Sequence, residues 1–170
     1  MLNFKERLNK ITTFMFDIDG VMTDGKVLVM ESGEMVRNIN SKDGYALHLA
    51  NNKNYRIVII SGGNNAAIQK ALARTGIMDV FIKQHDKLAC YTEYLTANNL
   101  KDEEVLYMGD DLPDYEVMSR AGAAVCPKDA ATEIKSICHY ISGKKGGEGC
   151  LRDIIEQVLR VQGKWEIVKW

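Results

Sequence analysis

Three short apolar runs punctuate the chain, and each closes on small or acidic residues. Thr13-Phe14-Met15-Phe16 runs into Asp17-Ile18-Asp19-Gly20, Arg56-Ile57-Val58-Ile59-Ile60 into Ser61-Gly62-Gly63, and Val105-Leu106-Tyr107-Met108 into Gly109-Asp110-Asp111. Uninterrupted apolar runs of this length suit strands covered on both faces, as in a parallel sheet. Weaker strands are expected at Val80-Phe81-Ile82, Ala123-Ala124-Val125 and Tyr140-Ile141. Helical patterns fill the gaps, over about 44–53, 64–75, 87–98, 112–120, 129–137 and 149–162. Asn64 and Asp129 suit helix N-caps, and Gly76 and Gly122 suit helix stops. Strands alternating with helices predict an α/β, Rossmann-like core with a mainly parallel sheet flanked by helices.

One stretch breaks the alternation. Lys26-Val27-Leu28-Val29-Met30 and Met35-Val36-Arg37-Asn38-Ile39 flank Glu31-Ser32-Gly33-Glu34, which predicts a β-hairpin over 26–39 with a glycine in its loop. It follows the first strand directly, where a simple doubly wound fold would carry a helix. A projecting hairpin there can cover a site or pair with another subunit; the plainer reading is a decoration on the sheet.

Composition narrows the classes. With 170 residues, 46% hydrophobic and 26% charged, the chain suits one compact domain over 1–170, and neither a disordered nor a fibrous protein. Lys+Arg 22 against Asp+Glu 23 leaves a net charge of −1, so no basic field points to nucleic acid. No stretch approaches the roughly 18–20 uncharged apolar residues of a membrane span, and charges at Lys5, Glu6 and Arg7 break any early signal-peptide core. Cys90, Cys126, Cys138 and Cys150 form no CxxC pair, which favours reduced thiols and a cytoplasmic location over a zinc site. His48 and His139 read as packing or surface residues, and His85 lies near Lys87 in sequence without a clear role. Trp165 and Trp170 fall in a short tail, 163–170, that could cover a neighbouring subunit or fray.

The chemistry concentrates at strand ends. In an open parallel sheet, ligands bind beyond the carboxyl ends of the strands, so Asp17, Asp19, Asp110, Asp111 and Asp114 should converge. Clustered carboxylates repel unless a cation neutralises them, and hard oxygen donors point to Mg²⁺. Ser61 with the backbone of Gly62, and the cation of Lys87, could then bind phosphoryl oxygens. Each piece alone is common: a lone DxDG also suits a calcium-type turn, Ser-Gly-Gly an ordinary turn and one lysine a solvated charge. The ordered set is what carries the reading.

On Asp17-Ile18-Asp19-Gly20, Ser61, Lys87 and Gly109-Asp110-Asp111-Leu112-Pro113-Asp114 the chain resembles a haloacid dehalogenase superfamily phosphatase. With Val21-Met22-Thr23-Asp24-Gly25, Lys42-Asp43-Gly44-Tyr45 and Gly146-Gly147-Glu148-Gly149, it is similar to the 3-deoxy-D-manno-octulosonate 8-phosphate (KDO 8-phosphate) phosphatases over about residues 10–162. The resemblance implies Asp17 as nucleophile carrying an aspartyl-phosphate and Asp19 as the acid and base. It implies Ser61, Gly62 and Lys87 as phosphoryl-binding groups, and Mg²⁺ held by Asp17, Asp110 and the Asp19 backbone carbonyl. Asp111 and Asp114 would orient a metal-bound water or Lys87, and Lys42, Asp43 and Gly44 would meet the substrate. The family lacks a large cap, so the resemblance further implies a homotetramer in which the hairpin helps neighbouring subunits close shared sites, and a cytoplasmic role in lipopolysaccharide biosynthesis.

Glu148 stands where these phosphatases usually carry arginine. That keeps open a nine-carbon, sialic-acid-like 9-phosphate substrate beside KDO 8-phosphate. A reading from another class is a non-catalytic domain of this fold used for oligomerisation; the retained Asp17, Asp19, Ser61, Lys87 and Asp110 argue against it. A receiver domain would place its phosphorylated aspartate after a middle strand, whereas here the acid pair follows the first.

Overall fold

The structure, a computed structural model, describes residues 3–64 and 66–166. Its strands are β1 (Thr13–Phe16), β2 (Leu28–Val29), β3 (Met35–Val36), β4 (Arg56–Ile60), β5 (Asp79–Phe81), β6 (Val105–Met108), β7 (Ala123–Cys126) and β8 (Tyr140–Ile141). Its helices are α1 (Phe4–Leu8), α2 (Ser41–Asn52), α3 (Ala66–Ala73), α4 (Lys87–Asn98), α5 (Tyr115–Arg120), α6 (Thr132–Ile137) and α7 (Cys150–Val161). Six strands form one sheet in the order β5-β4-β1-β6-β7-β8, and every pairing in it is parallel. The expected α/β class and parallel sheet are therefore what the chain adopts.

Alternation along each strand builds the two sides of the core. Phe14, Phe16, Ile57, Ile59, Leu106 and Met108 face one cluster that takes in Leu47, Ile68 and Ile154 from α2, α3 and α7. Met15, Val58, Ile60, Val105 and Tyr107 face the other, against Tyr91, Val117 and Ile134 from α4, α5 and α6. The result is a three-layer sandwich with β1 in the middle of its sheet. Strand order reverses direction at β1 and β6, so the crevice beyond their carboxyl ends is the natural place for a ligand.

The strong runs form strands with the expected limits, but some boundaries move. α1 forms ahead of the first expected strand, where Asn3 and Glu6 cap it reciprocally. The stretch 112–120 starts as a 3₁₀ turn, Leu112–Asp114, before α5. Asp129 does not cap α6, whose cap is Ala131; its carboxylate instead accepts the Gly146 N–H at 3.0 Å. α3 is described from Ala66, and Asn65, between it and the expected Asn64 cap, lies outside the described residues. Gly122 does follow α5, one residue past the Ala121 cap.

The hairpin forms with a shorter ladder than the sequence suggests. Leu28 pairs Val36 and Val29 pairs Met35, antiparallel, and Met30 N–H closes the loop on Glu34 O at 2.9 Å. Its apolar residues, Leu28, Val29, Met30, Met35, Val36 and Ile39, are all exposed, Leu28 at 64%. Trp165 packs between two arginines of α7, 5.7 Å from Arg152 and 5.3 Å from Arg160; Trp170 lies outside the described residues.

Candidate active site

Between β1 and the hairpin the chain makes a tight turn, Ile18–Met22, that a strand-to-helix connection would not need. Gly20 sits there at φ +88°, and a Cβ on it would overlap the Asp110 carboxylate. Thr23 is fully buried, and its hydroxyl accepts the N–H groups of Gly20 at 3.3 Å and Gly25 at 3.2 Å. The turn thus brings Asp17 and Asp19 back over the sheet, against the residues that end β6. Gly109 serves the same crowding: a Cβ there would strike Asp114.

One cavity of about 330 Å³ opens at this point, lined by Asp17, Asp19, Ser61, Gly62, Lys87, Asp110, Asp111 and Asp114 among others. Lys87 begins α4 and is 5% exposed. Its ammonium lies 3.0 Å from Asp17 Oδ1 and donates to Asp114 Oδ1 at 2.8 Å. Asp114 also accepts the Tyr107 hydroxyl on Oδ1 at 2.8 Å and the Asp110 N–H on Oδ2 at 3.2 Å. Ser61 follows β4 directly and is 1% exposed; its hydroxyl accepts the Gly63 N–H at 3.2 Å.

The electrostatics ask for a cation. Burial pushes the Asp17 carboxyl up to about 8, with repulsion from Asp114 adding and Lys87 opposing. Burial raises Asp110 to about 7, helped by Asp114 and Asp111. Burial alone would lower Lys87, but attraction to Asp17 and Asp114 outweighs it and holds its pKa above the usual lysine value. Oxygens of Asp17, Asp110 and Asp114 lie within 4.8 Å of one another. An all-oxygen donor set of this kind, with carboxyls that ionise reluctantly, fits Mg²⁺. Asp114 already accepts three donors, which leaves Asp17 and Asp110 as the carboxylates better able to ligate.

Other expected residues lie elsewhere. Lys42, Asp43 and Gly44 do not line this cavity. Asp43 is 1% exposed; its Oδ1 accepts the Arg152 N–H at 2.8 Å and caps α7 from α2. Lys42 and Glu148 line a second cavity of about 330 Å³ with Lys144, Arg152 and Arg160. Gly147 N–H donates to Val21 O at 3.0 Å, so the glycine-rich loop braces the Asp19 turn from below. His139 accepts the Ala124 N–H at 2.9 Å, a packing role, and His85 is exposed. Cys90, Cys126, Cys138 and Cys150 are free thiols, and no helix among the described residues is long and apolar enough to cross a membrane.

Two side chains went unread in the sequence. Tyr107 looked like one more apolar strand residue, though a phenol in a fully buried run needs a partner for its hydroxyl. Arg37 falls within the second strand run of the expected hairpin, yet its guanidinium Nε donates to Asp19 Oδ1 at 2.6 Å.

Residues 64–154 match the family model described as haloacid dehalogenase-like hydrolase. The chain is 32% identical over 161 residues to the 3-deoxy-D-manno-octulosonate 8-phosphate phosphatase KdsC of Yersinia pestis, spanning 95% of this chain and 86% of that protein. The crystal structure of the Yersinia pestis phosphatase superposes with a TM-score of 0.92 at 32% identity, over 95% of this chain and 87% of that one. That of the Moraxella catarrhalis 3-deoxy-D-manno-octulosonate 8-phosphate phosphatase, in complex with magnesium, phosphate and KDO, does so with 0.91 at 25% identity, over 94% and 92%. With the acidic crevice in place at the reversal of strand order, the chain belongs to the haloacid dehalogenase-like hydrolase family, in the company of the 3-deoxy-D-manno-octulosonate 8-phosphate phosphatases.

Proposed function

We propose that the chain is a Mg²⁺-dependent phosphatase that releases phosphate from a 3-deoxy-2-keto sugar acid phosphate, KDO 8-phosphate first, through an aspartyl-phosphate on Asp17. The observation that carries this reading is the buried Asp17–Lys87–Asp114 chain lining one acidic cavity. A lysine locked between two carboxylates keeps its charge and position for the transferring phosphoryl group. The KDO and phosphate of the Moraxella catarrhalis complex support the substrate class.

In this reading an Asp17 oxygen attacks phosphorus while the bond to the sugar oxygen breaks, and Asp19 supplies that oxygen with a proton. Asp19 then takes a proton from the water that cleaves the aspartyl-phosphate. Ser61, the Gly62 N–H and Lys87 hold the phosphoryl oxygens throughout. Asp17, Asp110 and the Asp19 carbonyl would hold Mg²⁺, which would supply charge neutralisation and fix the phosphate's orientation. Asp111 borders the cavity as an outer acceptor, and Asp114 orients Lys87 through their hydrogen bond. Lys42, Asp43 and Gly44 are assigned to the sugar end only indirectly, Asp43 by fixing α7.

The exposed apolar hairpin supports assembly into a homotetramer that covers it, each hairpin closing a neighbour's site; a soluble monomer rarely leaves such a patch bare. A monomeric mass by light scattering would refute that assembly. Glu148 on a charged cavity keeps a nine-carbon substrate as the second reading. The deciding experiment is phosphate release with Mg²⁺ across eight- and nine-carbon 2-keto sugar acid phosphates, with Asp17→Asn as control. Release from none by the wild type refutes the enzyme reading in favour of a non-catalytic domain, and full activity of Asp17→Asn removes the nucleophile.

A further inference from the structure

Arg37 differs from the hairpin residues before it. Leu28, Val29, Met35 and Val36 point to solvent, whereas the Arg37 side chain, just past β3, is only 13% exposed and reaches back to Asp19. The grip is uneven: Nε donates to Oδ1 at 2.6 Å, and Nη2 reaches Oδ2 at a long 3.4 Å. A second tie lies three residues on, where Asn40 Nδ2 donates to Gly147 O at 3.0 Å, and Gly147 in turn holds Val21 of the Asp19 turn. The segment that leaves the hairpin therefore clasps this turn at two points.

We propose that Arg37 is a positioning residue for the leaving-group step, fixing the position and plane of the Asp19 carboxyl from which the departing alcohol takes its proton. The proposal rests on the reading of Asp19 as proton donor given above. A carboxyl used for proton transfer must be held within roughly 0.5 Å of its working position by neighbours that are themselves fixed. Asp19 sits beside Gly20 in the tight Ile18–Met22 turn, with its side chain a third exposed. The Arg37 guanidinium adds restraint, because its planar donors fix both the distance and the plane of the carboxyl. In the step itself the Asp17–phosphorus bond forms, the phosphorus–oxygen bond breaks with its electron pair kept by the alcohol oxygen, and the proton on Asp19 passes to that oxygen. Arg37 stays protonated and exchanges nothing.

The distinguishing measurement is dependence on the leaving group, which is independent of the natural sugar. With Mg²⁺-loaded enzyme, kcat and KM are measured on aryl phosphates from p-nitrophenyl phosphate, whose leaving group needs no proton, to phenyl phosphate, whose leaving group does. Arg37→Ala should lower kcat/KM, which reports the leaving-group step alone, about 10- to 100-fold on phenyl phosphate, part of the 10²–10⁴ that a positioned acid gives, and less than about threefold on p-nitrophenyl phosphate. Arg37→Lys should recover part of the loss, and added guanidinium ion should rescue Arg37→Ala but not the wild type. Equal losses along the series, or none, overturn the proposal. Asp19→Asn is run beside it. If that variant steepens the dependence and Arg37→Ala does not, the role of Arg37 falls alone; if neither does, the proton-donor reading of Asp19 falls and the proposal with it.

Discussion

Replacing Lys87 tests the site where its forces are largest. Lys87→Met keeps a similar apolar stem and removes only the ammonium, leaving Asp17 and Asp114 facing one another in a buried crevice. At roughly 3 Å and an effective dielectric near 20, each ion pair is worth on the order of 5 kcal/mol before desolvation. Breaking a buried pair by removing one partner costs about 3–5 kcal/mol net. The metal-free protein should therefore lose about 3–5 kcal/mol of unfolding free energy at pH 9, a fall in Tm of roughly 6–20 °C for a chain of this size. The loss should shrink at pH 6, where Asp17, already raised to about 8 by burial, can take a proton in place of the lysine. The assay is urea unfolding at both pH values with EDTA present, paired with phosphate release with Mg²⁺. An unfolding free energy unchanged at pH 9, or a loss equal at both pH values, would refute the electrostatic account of the crevice.

Three further outcomes follow from the same geometry. In the metal-free wild type, Asp17 and Asp110 carry folded pKa values of about 8 and about 7 above ordinary unfolded ones; the stability this contributes is full below about pH 4 and is lost as pH rises through 7–8. Mg²⁺ should oppose that loss, so its thermal-shift effect should grow from pH 6 to pH 8.5, and a constant shift would contradict it. Tyr107→Phe removes a buried hydroxyl from Asp114 at 2.8 Å and should cost about 1.5–3 kcal/mol in denaturant unfolding together with a drop in kcat; an unchanged midpoint would argue against the hydrogen bond. Gly20→Ala must place a Cβ at φ +88° against the Asp110 carboxylate, so calorimetric Mg²⁺ binding and turnover should vanish while the far-ultraviolet dichroism of the sheet persists.

How much was legible differed by element, for physical reasons. β1, β4 and β6 are covered on both faces, so burial wrote itself into the sequence as unbroken apolar runs with the site residues at their ends. The hairpin strands are exposed, and their apolar residues signalled a ladder longer than the two pairs that form. Asp129 had the right residue type for a helix cap, but a long-range partner, the Gly146 N–H, claimed it. Asp43 looked available to substrate, and its position 109 residues before its partner on α7 hid a capping role. Arg37 was hidden for the same reason: its target is 18 residues earlier, on a turn whose path no local propensity describes. Contacts set by chain return, not by neighbours, are what one-dimensional pattern reading misses.

The placement of β1 also sets how the molecule should breathe. Asp17 N–H donates to Met108 O at 3.0 Å, and β1 has a parallel neighbour on each side. Amides of such a strand open to solvent only when the whole sheet does, so in native-state hydrogen exchange the backbone of Asp17 should report the global unfolding free energy. The hairpin, joined by two pairs of residues and contributing to neither buried cluster, should exchange orders of magnitude faster. Asp17, the proposed nucleophile, is thus fixed to the slowest part of the protein, while the hairpin ahead of Arg37 belongs to the fastest. Sequence drift in the exposed strands β2 and β3, ahead of Arg37, therefore carries no threat to the buried core.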